Sequence, residues 1–236
     1  GVTGENVARR YGMTRTELDE LAVQSNARAA AARASGWFED QIVEVTGRGQ
    51  DGTGFAFCTD EGIRPGTNLE SLAALKPVFA EDGVLTAATS SQRSDGAGFT
   101  VLMSAERAGA LGLRPLARLL GFAVAGVDPA YMGIGPVAAV PKVLAQTGLA
   151  IADLDVIELN EAFASQALAV VRDLGLDPER VNPNGGALAM GHPLGATGAI
   201  LTVKALAELE RRDQRLGLVT MCVGGGMGAA GVFERL

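Results

Sequence analysis

The chain has 236 residues, 47% of them hydrophobic and 20% charged, which suits one sizeable core plus a smaller lobe and excludes a disordered chain. With 27 acidic and 20 basic residues the formal charge is −7, which argues against a nucleic-acid partner. It leaves room for a phosphate-bearing ligand held locally by arginines and backbone amides. The two cysteines, Cys58 and Cys222, make no disulfide framework and fit a reducing cytosol.

The N-terminus carries no basic, apolar leader. A start at Gly1 without Met reads as a processed chain or a piece of a longer one. Thr14 to Glu17 has capping-box spacing and predicts a helix with Leu18, Leu21, Ala22 and Ala29 on its apolar face and Gly36 as its stop. Residues 41–46 and 55–60 read as strands joined by a glycine-rich turn, with Cys58 a structural residue in mid-strand. A short helix over 69–75 ends at Pro77. Arg9, Arg10, Arg28, Arg33 and Arg64 are scattered, the pattern of a solvated surface.

From Arg114 onward, strands alternate with helices. The pattern predicts a strand over 116–127, a helix over 137–147, a strand over 156–159 and a helix over 161–174. A short strand around Val181, a glycine-rich turn, a helix over 193–212 and strands over 217–223 and 228–234 complete it. That order implies a layered α/β domain with a mixed sheet. The most apolar stretch, 216–233, is interrupted by glycines and reads as two buried strands, not a membrane span.

Three places break the pattern. Strand 156–159 ends at Asn160 where a helix begins, so Asn160 is either an N-cap or a residue of the crevice that strand ends line in open α/β sheets. His192, the only histidine, lies in a glycine-rich run that continues as Pro193, a favoured first helical residue. At a helix N-terminus its ring would stay neutral and ready to accept a proton, or it is simply structural. Cys222 ends an apolar strand before Gly224, Gly225 and Gly226. It is either an inert buried thiol or one facing a cleft lined by backbone N–H groups, its pKa lowered by a nearby histidine. Asn, His and Cys together suggest acyl or carbonyl chemistry; a papain-like protease uses the same types, with a different sequence around its nucleophile. No phosphate-binding P-loop or dinucleotide glycine spacing is present, which removes nucleotide hydrolysis and hydride transfer.

These residues resemble the thiolase family. Asn160–Ala164 matches its NEAFA motif, Gly191–Gly198 its GHPxGxxG motif, and Cys222–Gly226 its CxGGG motif, in the family's order. The likeness also runs through the opening at Gly1, Ser90-Ser91-Gln92 and Asp95-Gly96-Ala97, and so covers nearly the whole chain. It departs from the family at Ala88-Thr89, where Gly-Asn is usual.

The resemblance implies a layered α-β-α-β-α fold with a mixed five-stranded sheet, present here mostly as the C-terminal half plus a CoA-binding loop domain. Residues 1–93 would be that loop domain, 94–115 a return into the N-terminal half, and 116–236 the C-terminal domain. It implies CoA-dependent thiolytic cleavage of 3-ketoacyl-CoA, or the reverse condensation, of the degradative type. CoA and acyl-CoA would be substrates, with no permanently bound cofactor and no metal. His192 and Cys222 would be the acid and base, Asn160 would hold a water, and the Gly224 amide would serve an oxyanion hole. Arg64 would lie near the adenine and Ser91 near the pantetheine, with Phe79, Met132 and Phe163 lining the cavity. The acyl-accepting cysteine would lie upstream of Gly1, so the missing N-terminal half is an expected partner, and a homodimer or homotetramer the expected assembly. The alternative is a catalytically incomplete fragment, or a module that only binds acyl-CoA or a partner.

Overall fold

The computed structural model describes residues 1–236. Helices α1 (Val2–Arg10) and α2 (Arg15–Ala34) open the chain. The capping box at α2 is present: Glu17 N donates to the Thr14 hydroxyl and Thr14 N to the Glu17 carboxylate. Leu18, Ala22 and Ala29 of α2 are fully buried, and Gly36, at φ +73°, follows the helix end. Strands β1 (Val45–Arg48) and β2 (Gly54–Phe57) form an isolated antiparallel hairpin, displaced by a few residues from the expected spans. Cys58 lies just beyond β2 and is exposed, so the expectation of a structural mid-strand cysteine fails; no second layer covers the hairpin. Short helices α3 (Leu69–Ala73) and α4 (Ala105–Ala110) follow, and the first of these also has an N-cap, Asn68.

The C-terminal body comprises β3 (Ala117–Gly126), a 3₁₀ turn (Pro129–Ile134), α5 (Gly135–Thr147), β4 (Val156–Leu159), α6 (Ala164–Leu174), α7 (Ala187–Met190), α8 (Thr197–Arg211), β5 (Leu216–Val223) and β6 (Met227–Arg235). Sheet order is β3-β6-β5-β4, antiparallel except for the β4–β5 pair. The expected fifth strand is reduced to one bridge, Ile157 with Val181. Asn182, at φ +45°, turns the chain out of extended conformation, and its side chain supplies the next rung: Leu159 N donates to Asn182 Oδ1, and Asn182 Nδ2 donates to Leu159 O, both at 2.8 Å.

Helices α5 and α6 bury Val140, Val143, Ala167 and Val170 against Ile157, Leu159, Leu218 and Val232 on one face of the sheet. On the other face, Leu201 and Ala205 of α8 meet Val219 of β5. This is a three-layered α-β-α body, part of the five layers the family pattern implies. The N-terminal lobe shares its core with this body, since Val7, Leu18 and Ala22 cluster with Ala164 and Ala169 of α6. Trp37, past the end of α2, stacks under the Arg211 guanidinium, 3.8 Å from its ring centre. No helix is long and apolar enough to cross a membrane.

Candidate active site

Because β4 and β5 run parallel, their C-terminal ends share one edge of the sheet, the edge where open α/β sheets bind ligands. Asn160 and Cys222 sit there. Asn160 N continues the ladder by donating to Thr220 O at 3.0 Å, and α6 begins only at Ala164 with Phe163 before it. Asn160 is therefore not that helix's N-cap. Its side chain is fully buried, and its Nδ2 lies 3.3 Å from His192 Nε2. Its Oδ1 has no protein partner, so an acceptor is free beside the imidazole.

His192 lies between α7 and α8. The expected helix start at Pro193 is wrong: Pro193 O takes the N–H groups of Ala196 and Thr197 in a turn, and α8 starts at Thr197. His192 Nδ1 is 2.7 Å from Thr197 Oγ1, and that hydroxyl donates to Pro193 O at 2.9 Å. One hydroxyl proton cannot serve both, so the imidazole proton belongs on Nδ1 and points at Thr197. Nε2 then carries the lone pair and faces Asn160. Burial holds the ring below the usual histidine pKa and so favours the neutral form. The cause is desolvation, in place of the expected helix dipole.

Cys222 is buried, and burial pushes its thiol up to about 11. Of the two readings of Cys222, burial favours the protonated thiol over one lowered by a histidine. Gly224 begins the β5–β6 turn, and a Cβ there would meet nothing within 4 Å, so its backbone borders open space. Gly226, at φ +92°, packs so closely on Val127 O and Pro129 that no side chain fits.

The loop bearing His192 is clamped by residues that sequence reasoning missed. The Glu161 carboxylate, only 2% exposed, accepts from the Ser25 hydroxyl at 2.7 Å, Asn182 Nδ2 at 2.9 Å and Leu188 N at 3.1 Å. Gln92 Nε2 donates to Gly62 O and Ala189 O, and the Gln92 backbone carbonyl accepts from His192 N. Thr197 and Glu161 lie inside the motifs already noted, which was the available signal.

The expected ligand-binding residues divide in two. Phe79 and Phe163 meet edge to face with centroids 5.8 Å apart, and Ser91 N donates to Ala162 O at 3.0 Å, so these three lie together beside Asn160. Met132 lies in the 3₁₀ turn, half-buried. Arg64 is exposed, and its side chain makes no hydrogen bond or ion pair; its backbone is held, the N–H by Asn26 Oδ1 and the carbonyl by Thr67. A cleft of about 390 Å³ opens between Ser94–Gly98 and Pro193–Ala196, directly after His192. No cluster of side chains suited to a metal ion is present.

Residues 1–106 match the family model for the thiolase N-terminal domain and 113–235 that for the thiolase C-terminal domain. The match to 1–106 means that part of the N-terminal domain is present, which weakens the expectation of a wholly missing half. A 3-ketoacyl-CoA thiolase of Bacillus subtilis is 52% identical over 99% of this chain and 62% of its own length. An acetyl-CoA acetyltransferase of Pseudomonas aeruginosa is 51% identical over 100% of this chain and 60% of its length. The crystal structure of the Bacillus anthracis acetyl-CoA acetyltransferase superposes with a TM-score of 0.97 at 46% identity, covering 100% of this chain and 59% of that one. The chain thus spans about three fifths of the relatives it matches. On both domain models and at this level of identity, it belongs to the thiolase family.

Proposed function

We propose that this chain carries the acid/base side of a thiolase site that cleaves 3-ketoacyl-CoA with CoA or runs the reverse condensation. The observation that carries the reading is His192 fixed between Thr197 and Asn160, its Nε2 free of a proton. In cleavage, a cysteine thiol supplied by the remaining two fifths of the relatives' length attacks the 3-keto carbon. His192 Nε2 takes that thiol's proton, and the resulting imidazolium faces the oxyanion formed there. The C2–C3 bond then breaks, and its electron pair passes to the acetyl-CoA enolate. Cys222, a protonated thiol, gives its proton to C2 and releases acetyl-CoA; its thiolate then takes the proton of the incoming CoA thiol, whose sulfur removes the shortened acyl group, and the freed nucleophile regains its proton from the His192 imidazolium. In the condensation direction Cys222 removes that C2 proton. The unpaired Asn160 Oδ1 holds a water at the oxyanion, and the Gly224 N–H serves the thioester oxygen. Loss of one such preorganised donor costs about 3–4 kcal/mol.

Arg64, Ser91, Phe79, Met132 and Phe163 belong to the CoA and acyl path in this reading, and residues 1–93 to the CoA-binding lobe. The partner is the rest of the thiolase. Residues 95–103 form no helix or strand and no backbone–backbone hydrogen bonds, while Phe99 and Val101 are each 84% exposed and Leu102 72%. An apolar segment with unpaired backbone groups is suited to joining another sheet as an added strand. The degradative subclass, a homo-oligomer and a reducing cytosol for two free thiols complete the proposal.

The test is CoA-dependent cleavage of a 3-ketoacyl-CoA by protein of verified mass. The chain alone is expected to be inactive and its complex with the rest of a thiolase active, with His192→Ala or Cys222→Ala each losing about 10²–10⁴-fold. Turnover by the chain alone would overturn the assignment of the nucleophile elsewhere. An inactive complex that still binds acyl-CoA would favour a binding module.

A further inference from the structure

Four buried residues of α8, Thr197, Leu201, Lys204 and Glu208, recur at helical spacing and form one stripe facing β4 and the 182–186 turn. Three of them are polar, and each holds a different part of the opposing surface. Thr197 Oγ1 holds His192 Nδ1 at 2.7 Å. Two turns on, Lys204 Nζ donates to Glu158 Oε2 at 2.9 Å and to Gly185 O at 2.7 Å. One turn further, Glu208 accepts from Asn184 Nδ2 at 2.8 Å.

Glu158 stands two residues before Asn160 and therefore on the same side of β4, the side that meets α8. The contacts between α8 and this surface form a ladder whose outermost rung is the catalytic pair itself. The Lys204–Glu158 rung is a buried ion pair. Both side chains are out of water, and Glu158 Oε1 has no partner. A buried ion pair with an unsatisfied oxygen is generally no more stabilising than apolar residues of the same volume. It does specify register, because the ammonium reaches the carboxylate and the Gly185 carbonyl together only at one setting of the helix. A one-residue slip would turn α8 by about 100° and shift it about 1.5 Å. That would break both bonds and carry Thr197 away from the imidazole.

We propose that Lys204 and Glu158 are positioning residues that set α8 in register with β4 and, through Thr197, aim His192 Nε2 at Asn160. The consequence for catalysis rests on the thiolase reading; the consequence for the imidazole does not. His192 is the only histidine, so its long-range ¹⁵N–¹H spectrum reports its tautomer without assignment. The informative variant is Lys204→Met with Glu158→Leu, which removes both charges and keeps apolar bulk, leaving only the Gly185 carbonyl without its donor.

This double variant is expected to stay folded, yet to lose the Nδ1–H pattern of His192. In the completed enzyme, kcat is expected to fall about tenfold or more, with KM little changed. Glu158→Gln, which still accepts a hydrogen bond, is expected to retain the pattern. A folded double variant whose imidazole keeps its Nδ1–H pattern overturns the proposal. If the double variant does not fold, Glu158→Asp keeps the charges and shortens the reach by one methylene. A changed imidazole pattern then supports the proposal, and an unchanged one overturns it. A changed pattern in a completed protein that never turns over would uphold the register and sink the thiolase reading.

Discussion

His192 and Cys222 are driven in opposite directions on the pH scale by one cause. Burial penalises charge, lowering the pKa of the imidazole and raising that of the thiol to about 11, so both groups are neutral at pH 7. A neutral imidazole accepts a proton and a protonated thiol gives one, which is the pairing a carbon–carbon cleavage needs. Since the native state disfavours the imidazolium, the stability linked to His192 is complete above pH 6.5 and declines as pH falls through the native pKa. Urea unfolding should show a slope with acid that His192→Gln reduces. The thiol works the other way: its contribution holds below pH 9 and is lost as pH rises toward 11. A thiol reagent at pH 8 should accordingly modify exposed Cys58 quickly and Cys222 slowly, with both reacting once the chain is unfolded. Two equally fast thiols would contradict the burial of Cys222.

Among the elements, the loops around His192 tolerate the least change. Gly191 has φ +91°, and a Cβ there would collide with Ser94 Oγ, so Gly191→Ala must displace the loop that places His192. The expected result is a loss of about 1–3 kcal/mol in stability, seen in melting, and a changed imidazole spectrum. Thr14→Ala, at the cap of α2, should cost about 1 kcal/mol and leave the imidazole spectrum unchanged. That cap was legible because it is local: a hydroxyl and a carboxylate three residues apart meet wherever a helix starts. Strand β4 was legible to the residue for a similar reason, its apolar run being short and ending at a polar residue. The start of α8 was misread because a proline favours the first helical position, whereas here Pro193 offers only its carbonyl to a turn. The strand near Val181 was overestimated because its apolar residue was read as extended backbone, whereas the Asn182-Pro183 pair that follows, with Asn182 at positive φ, ends it at once. The inward stripe of α8 was hidden because Lys204 and Glu208 have the composition of a solvated face, and only their tertiary partners reveal otherwise.

At the scale of the whole molecule, the family was legible because its motifs are contiguous stretches of chain, while the clamp on His192 joins segments more than a hundred residues apart. Ser25 on α2 reaches Glu161, and Glu161 reaches Asn182 and Leu188, so the first lobe is wired to the loop that bears His192 through a carboxylate. A second link between lobe and body runs along the protein's far side. Trp37 is the only tryptophan, and Arg211 covers it while its other nitrogens bind Glu208, which in turn holds Asn184 of the turn leading to His192. The chain therefore contains its own optical gauge: the emission of one indole registers whether the first lobe is seated on α8. Emission should redden when Arg211→Ala bares the ring, and should redden early in a urea titration if the lobe lifts before the sheet melts. If the lobe and sheet unfold as one, the colour change and the loss of circular dichroism will coincide.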